Sequence, residues 1–182
     1  MGPRTRQADA REGLSPMVFM QHLVGRRMPD VRLEATSGSS VSLARIQGTA
    51  VIFCYPFTGR PGHPNPPNWD HIPGAHGSTP QALAYSSAYG QFRRLGVTLF
   101  GLSLLDPEWQ RDFVSRNGLS FRLLSDHERV VQSRLGLPMF ETGGELYLQR
   151  MTFVQRDGII ASVRFPVPEP EHDAAEVLAG LG

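Results

Sequence analysis

The chain has one cysteine, Cys54, and no lysine; all 18 basic residues are arginine. A single thiol excludes an internal disulfide and a cysteine-based metal cage. The absence of lysine excludes Schiff-base chemistry on a lysine amine. No apolar run reaches the roughly 18 residues that a membrane-spanning helix needs. Neither sign of charge dominates: the formal net charge is +1, which argues against a general nucleic-acid binder. Near the N-terminus, Met17-Val-Phe-Met20 is too short for the apolar core of a secretion signal, and no small-residue cleavage site follows it. These absences together give the expectation of a cytoplasmic protein that uses neither membrane nor nucleic acid.

What is present fits one globular domain. The 182 residues are long enough to bury a real core, with 40% hydrophobic and 19% charged residues. Residues 1–25 are expected to form a flexible extension, with a short helix over 17–25, and residues 26–182 the domain. Val31 to Ala35 and Val41 to Leu43 read as short strands around the turn Ser37-Gly-Ser-Ser40. Thr49 to Tyr55 is a continuous apolar run, the pattern of a strand covered on both faces, and Pro56 ends it. Pro80 to Leu95 has helical periodicity and stops at Gly96, and Val97 to Leu105 is a second buried strand. Asp106-Pro107 is an N-cap followed by proline at the first helical position, and that helix closes at Asn117-Gly118. A strand over 120–124, a helix over 126–135, strands over 147–154 and 159–167 around Asp157-Gly158, and a helix over 172–181 complete the order. Parallel crossovers followed by an antiparallel pair imply an α/β fold of thioredoxin-like type, a mixed central sheet with helices on both faces.

The unusual stretch is Phe57 to Gly77. Its density of Pro and Gly allows neither helix nor strand, and Trp69 and Ile72 give it something to pack with, so an ordered loop is expected. It delivers Gly74-Ala-His-Gly-Ser-Thr-Pro-Gln81 to a helix N-terminus, where backbone N–H groups favour an anion. Ser78 has two readings. It caps the helix, either with Gln81 in a capping box or beside Thr79 as cap and Pro80 at the first helical position. Alternatively it meets a ligand oxygen. His76 reads either as a base acting on Ser78 or on a bound substrate, or as a loop-bracing side chain. His63, His71 and His76 do not have a ligand spacing, so neither metal nor cofactor is expected. Cys54, inside the apolar strand, reads as core filler. Tyr55 and Pro56, at the carboxyl end of that strand, and Thr79 and Trp69 are the candidate substrate-binding residues. Trp69, Trp109 and Tyr55 each have a plain packing reading as well.

The series Arg27-Met-Pro-Asp-Val-Arg-Leu33, Ser40-Val-Ser-Leu43 and Val51-Ile-Phe-Cys-Tyr-Pro56 resembles the opening of the peroxiredoxins, the AhpC/TSA redoxins. Thr58-Gly-Arg-Pro-Gly62, Trp69-Asp-His-Ile-Pro-Gly-Ala75, Leu124-Ser-Asp126 and Arg150-Met-Thr-Phe-Val154 continue it. The pattern is similar to the bacterioferritin-comigratory branch with an expanded active-site loop, over about residues 27–181. The resemblance implies that the family's peroxidatic cysteine corresponds to Ser78, its resolving cysteine to Leu83, and its active-site arginine to Arg150. It also places Ala75 where the family has a threonine.

A serine hydroxyl stays neutral at pH 7 where a cysteine in the same surroundings ionises, and it has no sulfenic acid to pass through. The expectation is therefore a peroxiredoxin-fold protein without the catalytic thiols, repurposed to act on a small polar or anionic molecule. Ser78, Arg150 and His76 are its candidate catalytic residues. The alternatives are a redox-inactive binding or regulatory module, and a thiol peroxidase whose cysteine has been replaced at Ser78. A homodimer is compatible with each.

Overall fold

The computed structural model describes residues 20–182. A seven-stranded sheet runs in the order β2-β1-β5-β4-β3-β8-β9. Its strands are β1 (Leu33–Ala35), β2 (Ser40–Val41), β3 (Thr49–Cys54), β4 (Thr98–Ser103), β5 (Arg122–Ser125), β8 (Met151–Arg156) and β9 (Ile159–Arg164). β3, β4 and β5 are parallel neighbours, and β1–β2, β1–β5, β3–β8 and β8–β9 pair antiparallel. The remaining strands, β6 (Met139–Thr142) and β7 (Glu145–Leu148), form a separate hairpin. The helices are α1 (Ser78–Arg94), α2 (Pro107–Asn117), α3 (Val130–Leu135) and α4 (Asp173–Leu181).

The apolar run of β3 feeds two cores. Ala50, Ile52 and Cys54 face one, with Val131 and Leu135 of α3 and with Met20, Leu23 and Met28. Val51, Phe53 and Tyr55 face the other, with Tyr85 and Phe92 of α1, Phe113 of α2 and Val177 of α4. Alternation on a strand covered from both sides leaves no polar position, which is why the run is unbroken. The central ring of the second core is Phe53, stacked on Tyr85 at 4.5 Å between centroids. Full burial of Met20 and Leu23 corrects the expected boundary: residues 20–25 belong to the folded body, not to an extension. The rest of the proposed extension, and the start of the helix expected over 17–25, lie outside the described residues.

The helix expected from 126 begins only at Val130, because Asp126 turns its carboxylate back to accept from the N–H groups of Val130, Val131 and Gln132. The single strand expected over 147–154 is two strands, β7 and β8, broken at Gln149-Arg150, and β6 was not foreseen. The break decides the site: β8 begins at Met151, and Arg150 turns into the interior with only 4% of its surface exposed.

Candidate active site

The loop from Phe57 to Gly77 is tied down along its length. At its start, the Trp109 indole N–H donates to the Thr58 carbonyl (2.8 Å), and Arg116 of α2 donates to the Gly59 carbonyl (3.0 Å). The Arg60 guanidinium lies over the Trp109 ring, 4.2 Å from its centroid. In the middle, the Thr142 hydroxyl donates to the Pro67 carbonyl. Trp69 packs between Phe57, Phe140 and Tyr147, with ring centroids 5.3–5.7 Å apart, and is 5% exposed. The β6–β7 hairpin thus forms the wall against which the loop is ordered.

At its end the loop enters α1 through Gly77, which sits at the N-cap with φ +112° and no side chain to cap the helix. This corrects both capping readings. Ser78, Thr79 and Pro80 occupy the first three helical positions, and the Gln81 amide donates to the Gly77 carbonyl (3.0 Å). Proline supplies no N–H, so the amides of Ser78 and Thr79 remain without intrahelical partners.

Released from capping, the buried Ser78 hydroxyl accepts from Arg150 Nη2 at 3.1 Å. The same nitrogen points into a cup of three consecutive carbonyls, those of Gly74, Ala75 and His76, at 3.2–3.3 Å. Arg150 Nη1 donates to Gln81 Oε1 at 2.7 Å, and Nε is buried without a partner. Burial pushes the Arg150 pKa down to about 10, opposed by the charge of Asp173. A cation buried at a helix N-terminus, with no carboxylate in contact, makes the ground around Ser78 electropositive.

Above it opens a cleft of about 380 Å³, lined by Phe57, Gly59, Asn65, Trp69 and the residues from Ala75 to Pro80. The structure therefore brings Ser78, Thr79, Trp69 and His76 to one cavity, with Arg150 directly beneath Ser78. His76 sits on the rim, 57% exposed, its Nε2 2.6 Å from Asp70 Oδ1. In the tautomer that donates Nε2–H to this carboxylate, the ring's lone pair lies on Nδ1. No hydrogen bond joins the His76 ring to the Ser78 hydroxyl.

Two expected binding residues are not on the cleft wall. Tyr55 is 2% exposed and lies in the second core, where Gln110 Nε2 donates to its hydroxyl at 3.3 Å and burial pushes its pKa up to about 12. Pro56 is buried beside it. Both follow the carboxyl end of β3, but Tyr55 points into the second core beneath Gln110 of α2 and not into the cleft. Cys54 is completely buried in the first core, and burial pushes its thiol pKa far up. Leu83, five positions after Ser78, is 42% exposed on the outside of α1. Sequence reasoning missed Asp173, which is wholly buried and bonded to Gln81; nothing in the acidic run before α4 marks which carboxylate turns inward.

Comparison with known proteins bears on the family and the fold. The family model described as Redoxin matches residues 23–178. Chloroplastic peroxiredoxin Q of Populus jackii is 25% identical over 162 residues, 88% of this chain and 68% of that protein. Its counterpart in Oryza sativa subsp. japonica is 26% identical over 155 residues, 85% of this chain and 64% of that one. The chain thus spans about two thirds of the length of these curated relatives. Among solved structures, peroxidoxin BcpB of Mycobacterium tuberculosis superposes with a TM-score of 0.69 at 23% identity, covering 87% of this chain and 95% of that one. The bacterioferritin comigratory protein of Xanthomonas campestris does so at 0.67 and 23%, covering 85% and 91%. With its thioredoxin-like mixed sheet and a family match over nearly all of the described residues, the chain belongs to the redoxin family and has a peroxiredoxin-like fold.

Proposed function

We propose that this redoxin has given up thiol chemistry at the α1 N-terminus and uses the cleft above Ser78 to take a small molecule with a polar or anionic end, as substrate of a non-thiol reaction. The observation that carries the reading is the Ser78 hydroxyl, 3.1 Å from Arg150 at the foot of the cleft, in a chain whose one thiol is sealed in the core. Arg150 donates to the serine oxygen, so the serine proton is free to point outward. A ligand oxygen at that point would meet this O–H and the unpartnered amides of Ser78 and Thr79, the donor arrangement that stabilises a carboxylate or a developing oxyanion. Phe57 and Trp69 would flank an apolar body. His76, its Nε2 engaged by Asp70, would present Nδ1 as an acid–base group to whatever lies in the cleft.

Two assays test this. In the first, hydrogen peroxide and cumene hydroperoxide are offered with a dithiol reductant. The natural chain should consume neither, and consumption would refute the loss of thiol chemistry. In the second, phenylacetate and its uncharged amide are titrated by calorimetry. The carboxylate should saturate and Thr79→Pro, which removes one amide donor, should weaken it; equal or no binding of both probes would refute an anion-selective cleft. A second reading, a peroxidase scaffold interrupted at one atom, is favoured by the contact between Arg150 and residue 78. It predicts that Ser78→Cys alone creates peroxide consumption.

A further inference from the structure

Asp173 opens α4 and is fully buried, a costly place for a carboxylate unless every lone pair is used. Its Oδ2 accepts from Gln81 Nε2 (3.1 Å), the Tyr85 hydroxyl (2.7 Å) and the Thr152 hydroxyl (2.6 Å). Its Oδ1 accepts from Arg164 Nε (3.0 Å). The donors come from α1, β8 and β9, so the carboxylate joins three elements. Gln81 continues the chain: its Oε1 accepts from Arg150 Nη1 at 2.7 Å, and Arg150 Nη2 reaches Ser78.

The choice of glutamine is informative. An amide carries an acceptor at one end of its plane and a donor at the other. Reversed, it would set NH₂ against the guanidinium and oxygen against the carboxylate, so one orientation alone fits. A methionine would fill the same volume without a polar group to satisfy.

We infer that Asp173 is a positioning residue for the cleft: through the Gln81 amide it holds Arg150 in the pose that reaches Ser78. A carboxylate with purely structural duty would tie α4 to the sheet through Tyr85, Thr152 and Arg164 and would not need the link to Arg150.

The test uses a reporter thiol and does not depend on what the cleft binds. Ser78→Cys is made in the full chain, and the pH dependence of its alkylation by iodoacetamide gives the thiol pKa. The natural chain, with Cys54 buried, serves as the blank, and His76 is common to every variant. Adding Asp173→Asn should raise that pKa by about one unit, a tenfold loss of thiolate below the midpoint. Adding Gln81→Met should do the same, and the two together should add nothing further. If Asp173 acts only by its charge, its removal lowers the pKa, with or without Gln81, and the inference is overturned. An unchanged pKa beside a lowered melting temperature overturns it too. Should Asp173→Asn fail to fold by near-ultraviolet circular dichroism, Gln81→Met decides alone: an unmoved midpoint refutes the relay.

Discussion

Replacing Gly77 by alanine strikes the joint between the loop and α1. Two costs are visible. With φ at +112° the backbone lies where L-residues are strained, at about 1–2 kcal/mol. The new Cβ would also stand 2.7 Å from Pro170 Cγ and 3.2 Å from its Cβ, so the turn Pro170–His172 would have to yield. Overpacking of this kind costs about 1–3 kcal/mol. Restriction of the unfolded chain returns about 0.4–1 kcal/mol. The net loss is about 2–4 kcal/mol, a fall of roughly 5–15 °C in Tm for a chain of this size. Gly62→Ala is the control, with φ +79° and nothing within 4 Å of a built Cβ, so it isolates the backbone cost. Thermal melts and urea titrations of both variants measure the difference. Pro170→Ala, which removes the nearest atom, should make the Gly77→Ala loss smaller when the two are combined. Equal losses at positions 62 and 77 would show that the contact with Pro170 carries no energy.

Further outcomes follow from single contacts. Tyr85→Phe keeps the stack on Phe53 but removes one donor to Asp173, and should lower unfolding free energy in urea by about 1 kcal/mol; an unchanged midpoint would refute a role for that bond. Cys54 should be silent to Ellman's reagent in the native chain and give one equivalent in guanidinium, and fast native reaction would contradict its burial. The hydrogen bonds from Arg45 and then Ser42 hold the Asp30 carboxyl down at about 2, against an ordinary 3.8. A lowered acid pKa stabilises the fold above the ordinary value, and the contribution is lost as pH falls through about 2. Asp30→Asn should therefore flatten that part of the acid-unfolding curve, and an unaltered slope would exclude the pair.

The parts of the fold legible in the sequence are those where one residue has one physical use. Asp106-Pro107 reads as a helix start because the carboxylate must meet a free amide, and it accepts from Trp109 N at 2.8 Å. Gly118 and Gly136 end helices at φ +60° and +66°, and Asp157-Gly158 turns a hairpin. Ser78 failed as a cap because the same hydroxyl had two uses, and the tertiary contact with Arg150 won. The strand break at Gln149-Arg150 was hidden because apolar, strand-forming residues lie directly on either side of it, Tyr147-Leu148 before and Met151 after. Backbone pairing is what shows that Arg150 belongs to neither strand: β7 ends at Leu148 and β8 begins at Met151. Asp173 was illegible for a related reason: its four donors lie 9 to 92 residues away on three elements, and no local spacing records them.

The aromatic packing of Trp69 against Phe57, Phe140 and Tyr147 also bears on kinetics. A long loop beside a cleft invites comparison with a lid, whose closure over a ligand spends conformational entropy and slows capture. Here the loop is already ordered in the free chain, anchored at its start by Trp109, in its middle by Thr142 and at its end by Arg150. A molecule of the kind proposed for the cleft would meet a preorganised wall, so its affinity would carry no loop-folding term and its association rate would be governed by encounter and water displacement.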